Sequence, residues 1–436
     1  MESGFVNAAL LRTIPASVPS PLQRFRRFAI DVTPLRVSRD YRLLWTGELV
    51  SQIGSQITLV ALFVQVYRLT HSNAAVGVVG VVQLVPMVLV SVGLGPQIDR
   101  RDRRRLLLLA QVGLMSATAV LYLASLAGDP PLGVLYGAAA LSAAFMSLAM
   151  PTRAAITPNL IAPELLSTAA ALNQAMWSSA AVVGPAVGGV IVGRFGLPWA
   201  YGIDLATFVV ALTCAFAIRS QRPHVEPGDQ DRGLAAIAAG FRYLRGRRVL
   251  QSTFTVDIVA MVFGMPRAVF PALAATVFHR GPEVVGWLFA APAAGALIGA
   301  LSSGWVGGVR RHGLAILLAV TAWGLAITAF GLAGDHLLLA LLFLAIAGAA
   351  DVVSAVFRGT LQQLVVPDAL RGRLAAFNIF VVAGGPRLGD LEAGVVAAAF
   401  TPTVAIISGG LLCLGGVAVI AAAVPQFARW HVGDAA

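Results

Sequence analysis

Gly95-Pro96-Gln97-Ile98-Asp99-Arg100-Arg101-Asp102-Arg103-Arg104-Arg105 is the stretch on which the fold turns. An apolar run, Val81 to Val92, enters it, and another, Leu106 to Leu126, leaves it. With their flanks, both approach the roughly 20 residues that a helix needs to cross a hydrocarbon core. The connection is too short to hold a domain and carries five arginines and two aspartates. Two membrane-crossing helices joined in this way form a hairpin. Its turn lies in the cytoplasm, because basic loops are retained on that side.

The pattern repeats outward in both directions. The chain has 436 residues, 58% hydrophobic and 12% charged, where a soluble domain carries about 25% charge. Apolar runs of about 20 residues occur near 43–67, 75–98, 105–127, 132–152, 168–193 and 201–218. They recur near 251–277, 284–307, 313–333, 336–357, 374–400 and 402–424. Twelve such spans predict an all-α polytopic membrane protein with both termini in the cytoplasm. All 31 basic side chains are Arg. Of these, 26 fall in segments predicted to be cytoplasmic, three outside (Arg68, Arg194, Arg280) and two within spans (Arg267, Arg387). The net charge of +11 is therefore a topological signal and not a nucleic-acid footprint.

Residues 1–41 contain Pro15, Pro19, Pro21 and a basic cluster at Arg24, Arg26 and Arg27. They predict a cytoplasmic arm able to touch anionic headgroups and show no signal-peptide pattern. The polar stretch 219–250, with seven arginines, is a cytoplasmic linker between two six-helix halves, 42–218 and 251–424. Its second part, Leu234 to Leu244, predicts an amphipathic surface helix. Residues 425–436 form a cytoplasmic tail. Cys214 and Cys413 lie in separate spans, so neither a disulfide nor a metal site is indicated.

Gly95-x-x-x-Asp99-Arg100-x-x-Arg103-Arg104 resembles the signature between the second and third spans of the major facilitator superfamily. By itself a basic loop is also a plain topogenic anchor; the spaced Gly, Asp and Arg pairs after a second span favour the family. The superfamily usually has Gly where this chain has Asp102. An acid there resembles the branch of enterobactin exporters and macrolide efflux proteins. The resemblance runs from about Asp40 to about Trp430. It implies two pseudo-symmetric halves with a substrate site between them near the midplane. It also implies a cytoplasmic gate set by Gly95, Asp99, Arg100, Arg103 and Arg104, with Asp99 near the start of span 11, just after Arg371 and Arg373. Internal repetition agrees. Arg153 and Pro163-Glu164 after span 4 match Arg358 and Pro367-Asp368 after span 10, with offsets of 205 and 204 residues. These two arginines are further gating candidates. Gly184-Pro185-Ala186-Val187-Gly188-Gly189 in span 5 likewise matches Gly385-Pro386 to Gly389 in span 11, and carries the tail of the family's antiporter signature. Close helix packing through small residues explains that tail equally well.

Several polar groups lie at membrane depth, where they are costly and mark function or pairing. Glu48, Ser51, Gln52, Ser55 and Gln56 share one face of span 1. Glu48, Asp257 in span 7 and Asp351 in span 10 lie at similar depths, roughly 10 Å inside the boundary at 1.5 Å per residue. In the superfamily, spans 1, 4, 7 and 10 line the cavity, so an acidic ring is implied. The alternative is that each acid pairs with a nearby arginine, as Asp351 with Arg358. Span 11 carries Arg387, Asp390 and Glu392. Arg387 and Asp390 are i, i+3 neighbours expected to pair, in a packing seam or a relay. Gln52, Gln56, Asn173 and Trp177 are candidate cavity residues. None of the six histidines falls mid-span.

No nucleotide-binding loop, zinc spacing or catalytic triad stands out, so the chain is not expected to be an enzyme or to carry a cofactor. The resemblance implies export of a small amphipathic molecule across the bacterial inner membrane by proton antiport. Glu48, Asp257, Asp351, Arg387, Asp390 and Glu392 would be the candidates for proton movement. The implied partners are the substrate, protons and the lipid bilayer, with a monomer sufficient and no nucleic acid. An uptake symporter or uniporter would share every topological feature. A non-transporting scaffold would have no need of ionisable groups at the midplane.

Overall fold

A computed structural model of the protein describes residues 31–98, 101–220 and 241–435, which include helices and connections but no strand. In hydrocarbon no water is available to backbone polar groups, so each apolar run closes its hydrogen bonds within itself. Spans 1 to 6 are Arg39–Thr70, Asn73–Ile98, Arg103–Leu126, Leu132–Leu160, Leu166–Arg194 and Leu197–Ala217. Span 7 is broken into Arg248–Phe263 and Phe270–Thr276, and spans 8 to 12 are Pro282–Leu301, His312–Leu332, Leu337–Val365, Asp368–Ala399 and Pro402–Ala423. Eleven of these segments are long and apolar enough to cross a membrane. The twelfth, span 11, has 32 residues. Leu89, Leu123, Leu301 and Leu338 stay exposed on their helices, as suits a lipid-facing surface.

Local chemistry starts and stops the helices. Ser38 caps span 1 by accepting from the Tyr41 N–H, and Asp102 caps span 3 by accepting from the Arg104 N–H at 2.9 Å. Each supplies an acceptor to a helix start with no internal partner. Pro198, Pro282 and Pro402 occupy first turns, where the missing N–H costs nothing.

Several boundaries differ from the sequence expectation. Spans 4 and 10 run on to Leu160 and Val365, so Arg153 and Arg358 lie inside helices rather than after them. Pro151 does not end span 4; around it Ser147 and Thr152 hydroxyls donate to the carbonyls of Ala143 and Leu148. Span 11 starts at Asp368, so Arg371 and Arg373 are within the helix rather than before it. Span 7, expected to be continuous, breaks at Gly264–Pro266 and passes through a 3-10 turn, Arg267–Val269. Gly lowers helix propensity and Pro removes an N–H.

The halves meet along two seams, span 2 on span 11 and span 5 on span 8. Glycines bring the backbones together. A Cβ at Gly77 would lie 2.5 Å from the Asp390 carbonyl oxygen, one at Gly394 2.6 Å from that of Asn73, and one at Gly189 2.8 Å from Gly286 Cα. All of these lie toward the end opposite the arginine-bearing connections. Phe289 of span 8 stacks edge-on against Phe63 of span 1 and Phe270 of span 7, with centroids 5.4 and 5.1 Å apart. That end is thereby sealed between the halves.

Candidate functional site

Two acid–arginine contacts occupy matching places in the two halves. Arg153 of span 4 donates to Glu48 of span 1 at 3.0 Å, and Arg358 of span 10 lies 2.8 Å from Asp257 of span 7. Glu48 is nine residues into a helix starting at Arg39, and Asp257 nine into one starting at Arg248. Arg153 and Arg358 each lie seven residues before the end of their helix. The matched depth follows from the internal repeat. The contacts differ in quality. Arg153 makes an aligned hydrogen bond to Glu48, whereas Arg358 Nη1 forms an ion pair without hydrogen-bond alignment. Arg358 also reaches Asp351 at 3.8 Å, and Asp351 is the exposed member, with 35% of its side chain accessible against 5% for Asp257. The free acidic ring suggested by depth is therefore corrected to two arginine-held clusters. In the second, two ionised carboxylates would leave one negative charge in excess.

Span 11 corrects a second expectation. Asp390 pairs with Arg267 and not with Arg387. The Arg267 fork donates through Nε and Nη2 to the two carboxylate oxygens at 3.2 and 2.6 Å, the bidentate geometry that makes such pairs strong. The break in span 7 sets Arg267 opposite Asp390, and Gly385 admits Met261 Cβ to within 2.8 Å of where its own Cβ would be. Arg387 bends back to the Ala383 carbonyl at 2.5 Å, and its Nε is buried without a partner. Glu392 has no ion-pair partner among the described residues and is half-buried.

The remaining candidates are more dispersed. Asp99 and Arg100 lie outside the described residues, and of Gly95 only the helical backbone is described. Arg103 donates to the Ala155 carbonyl of span 4 at 2.7 Å, and Arg104 Nη2 to the Phe216 carbonyl of span 6 at 2.5 Å. Carbonyls in a last helical turn lack internal donors and carry the negative end of the helix dipole, so Arg104 closes the end of span 6. These contacts stay within one half. Gln52 is buried; Gln56 packs its Cβ against Gly184 of span 5. Asn173 accepts from the Tyr41 hydroxyl at 3.1 Å and ties span 5 to span 1. Trp177 is half-buried. Gly184, Gly188 and Gly189 pack against Gln56, Ile57 and Gly286, so the antiporter-like stretch serves close packing.

Asp204 of span 6 was not singled out from sequence. Its carboxylate is buried and accepts hydroxyls from Thr58 at 2.6 Å and Thr118 at 3.0 Å. The signal was a lone acid in the apolar run Leu197–Ala217, a placement that by default marks function.

Residues 30–432 match a family model described as transmembrane secretion effector. Over 389 residues the chain is 28% identical to the enterobactin exporter EntS of Citrobacter koseri and 29% identical to that of Shigella boydii serotype 18. Each match covers 88% of this chain and 92% of the relative. The fold is similar to that of a mutant nucleoside transporter NupG, with a TM-score of 0.73 at 12% identity, over 89% of this chain and 99% of that one. It is also similar to a bacterial homologue of the iron transporter ferroportin in an inward-facing state, with a TM-score of 0.68 at 15% identity, over 90% and 99%.

Proposed function

The chain belongs to the transmembrane secretion effector family of the major facilitator superfamily, and we propose on that premise that it exports a small amphipathic molecule, drug-like or siderophore-like, by proton antiport with alternating access. Its family and relatives are membrane transporters rather than enzymes. Export is supported by relatives whose names say exporter, matched over most of their length.

The observation that carries proton coupling is the matched pair of buried contacts, Glu48–Arg153 and Asp257–Arg358. Each ties a helix at the start of one half to the fourth helix of that half. A proton arriving at the carboxylate converts it to the neutral acid and releases the guanidinium from its charge partner. Removing one partner of a buried pair costs about 3–5 kcal/mol. Reversing a two-state population from 1:99 to 99:1 takes about 5.5 kcal/mol. Where such a contact is made in only one of the two open states, one neutralised pair comes close to reversing the equilibrium, and two suffice. Asp351 is the less buried acid of the second cluster, which supports its receiving the proton there and passing it to the Arg358-held pair. Arg267, Asp390, Arg387 and Glu392 lie next to the glycine seam and sense the same change.

Basic connections stay in the cytoplasm, which supports a periplasmic placement of the glycine seam and leaves the cytoplasmic side as the loading side for an exporter. Gly95, Asp99, Arg100, Arg103 and Arg104 then form the gate that closes after loading. Purified protein in liposomes tests the proposal. With an imposed pH gradient and a panel of siderophores and lipophilic drugs, substrate should move opposite to the proton flow. Movement with the protons would identify a symporter, and indifference to the gradient would remove proton coupling.

A further inference from the structure

Asp204 sits in the interior of the N-terminal half, with its side chain enclosed by spans 1, 3 and 6. Its Oδ2 receives two hydroxyl protons, from Thr58 at 2.6 Å and Thr118 at 3.0 Å. Its Oδ1 lies 3.2 Å from Thr207 Oγ1, but that hydroxyl has the better acceptor in the Asp204 main-chain carbonyl at 2.7 Å. Each threonine hydroxyl has one proton to give. Oδ1 thus has only the longer share of that one hydroxyl, whose oxygen can also accept. A proton on Oδ1, donated to Thr207 Oγ1, completes the network. A carboxylate without one would be a buried charge lacking a cation.

No counter-charge comes from the surrounding helices. On span 1 the nearest acid is Glu48, held by Arg153. Span 3 offers Tyr122, packed near Gly202, and carries Arg103, Arg104 and Arg105 only at its start. Span 5 brings Arg194 at its far end, and on span 6 itself the Tyr201 hydroxyl donates to Gln65 Oε1 at 2.6 Å. None is bonded to Asp204 among the described residues. The space for the carboxyl is built in: a Cβ on Gly54 would collide with Asp204 Oδ1 and Thr207 Oγ1. On the arginine-rich side, polar groups lie about two turns away. There a void of about 10 Å³ is lined by Glu48, Arg153 and Gln111 among otherwise apolar or small residues such as Leu44, Leu107 and Ala211, the space of a single water. Gln111 Oε1 is buried without a partner there, and Thr118 stands two turns further along the same helix.

We propose that Asp204 is a second proton-carrying site, internal to the N-terminal half, exchanging its proton with Glu48 through the water-sized void beside Gln111. The step balances. Asp204 releases a proton from Oδ1 and becomes a carboxylate. The proton passes by the void to the Glu48 carboxylate, which becomes the neutral acid as Arg153 lets go. The direction of this traffic rests on the proton-coupled function proposed above; the presence of the protonated carboxyl does not.

Infrared difference spectroscopy of the purified full chain, recorded between acid and alkaline pH without substrate, reads protonated carboxyls directly. One band of the titrating protonated-carboxyl absorption of the wild type should be lost in Asp204→Asn, whose amide keeps the shape of the site, while the bands from the other acids remain. Thr118→Val retains the acid but removes one donor, so it should move the band without abolishing it; this variant decides the matter if Asp204→Asn does not fold. Carboxyl absorption unchanged in both variants would overturn the proposal, as would an Asp204 band that does not respond to pH. Because no substrate is present, a negative outcome here leaves proton antiport standing, and a failure of antiport in liposomes leaves this result standing.

Discussion

Glu48 and Asp257 occupy equivalent places but have unequal support. Arg153 has one recorded carboxylate partner, whereas Arg358 touches Asp257 and Asp351. Glu48→Gln should therefore leave Arg153 buried without a counter-charge and destabilise the protein by about 3–5 kcal/mol. Asp257→Asn should cost less, because Asp351 remains; thermal unfolding in detergent orders the two. By the same logic Arg267→Ala, which strips Asp390 of its bidentate partner, should lower stability more than Arg387→Ala, and equal losses would contradict the assignment. The acids themselves were legible in the sequence, because an ionisable residue in an apolar run stands out. So was the Asp351–Arg358 pairing, from a shared helix face; the partners of Glu48 and Asp257 were not. Arg153 is 105 positions from Glu48, and only packing of spans 1 and 4 brings them together. Arg387, the neighbour along the chain, lost Asp390 to Arg267 because a helix break redirected a competing guanidinium.

Among elements, spans 2 and 11 illustrate what pattern does and does not reveal. Hydrophobic length announced both helices, yet the residues that press them together are glycines, which carry no hydrophobic signal. Gly77→Val would drive a side chain into the backbone at Asp390, and overpacking of this kind costs about 1–3 kcal/mol. That cost falls on the sealed state alone. Site-directed cysteines on the far side of the seam, in a background lacking Cys214 and Cys413, should become more reactive toward an impermeant thiol reagent in Gly77→Val. Unchanged reactivity would mean that the seam does not move. Helix ends differ where the apolar runs fade near 152 and 357, short of the observed ends at Leu160 and Val365. In a membrane helix, hydroxyls and neighbouring helices can re-satisfy a proline's freed carbonyls, and an arginine can remain inside if a carboxylate meets it.

For the whole molecule, twelve helices in two halves were legible because the apolar runs repeat and because Arg153 and Arg358 recur at a fixed offset. Orientation was read from arginine placement. It predicts that, in a cysteine-free background, a cysteine at Gly228 is shielded from an impermeant reagent in intact cells while one at Gly128 is labelled; the reverse result would invert the topology. The central claim is that the paired contacts Glu48–Arg153 and Asp257–Arg358 couple proton flow to the exchange between the two open states. Its most direct test is transport by Glu48→Gln and Asp257→Asn in liposomes, with counterflow and pH-driven accumulation measured on the same preparations. Both variants should exchange substrate in counterflow and fail to concentrate it when a pH gradient is imposed. Concentration of substrate against its own gradient by both variants, at the wild-type level, would contradict the claim.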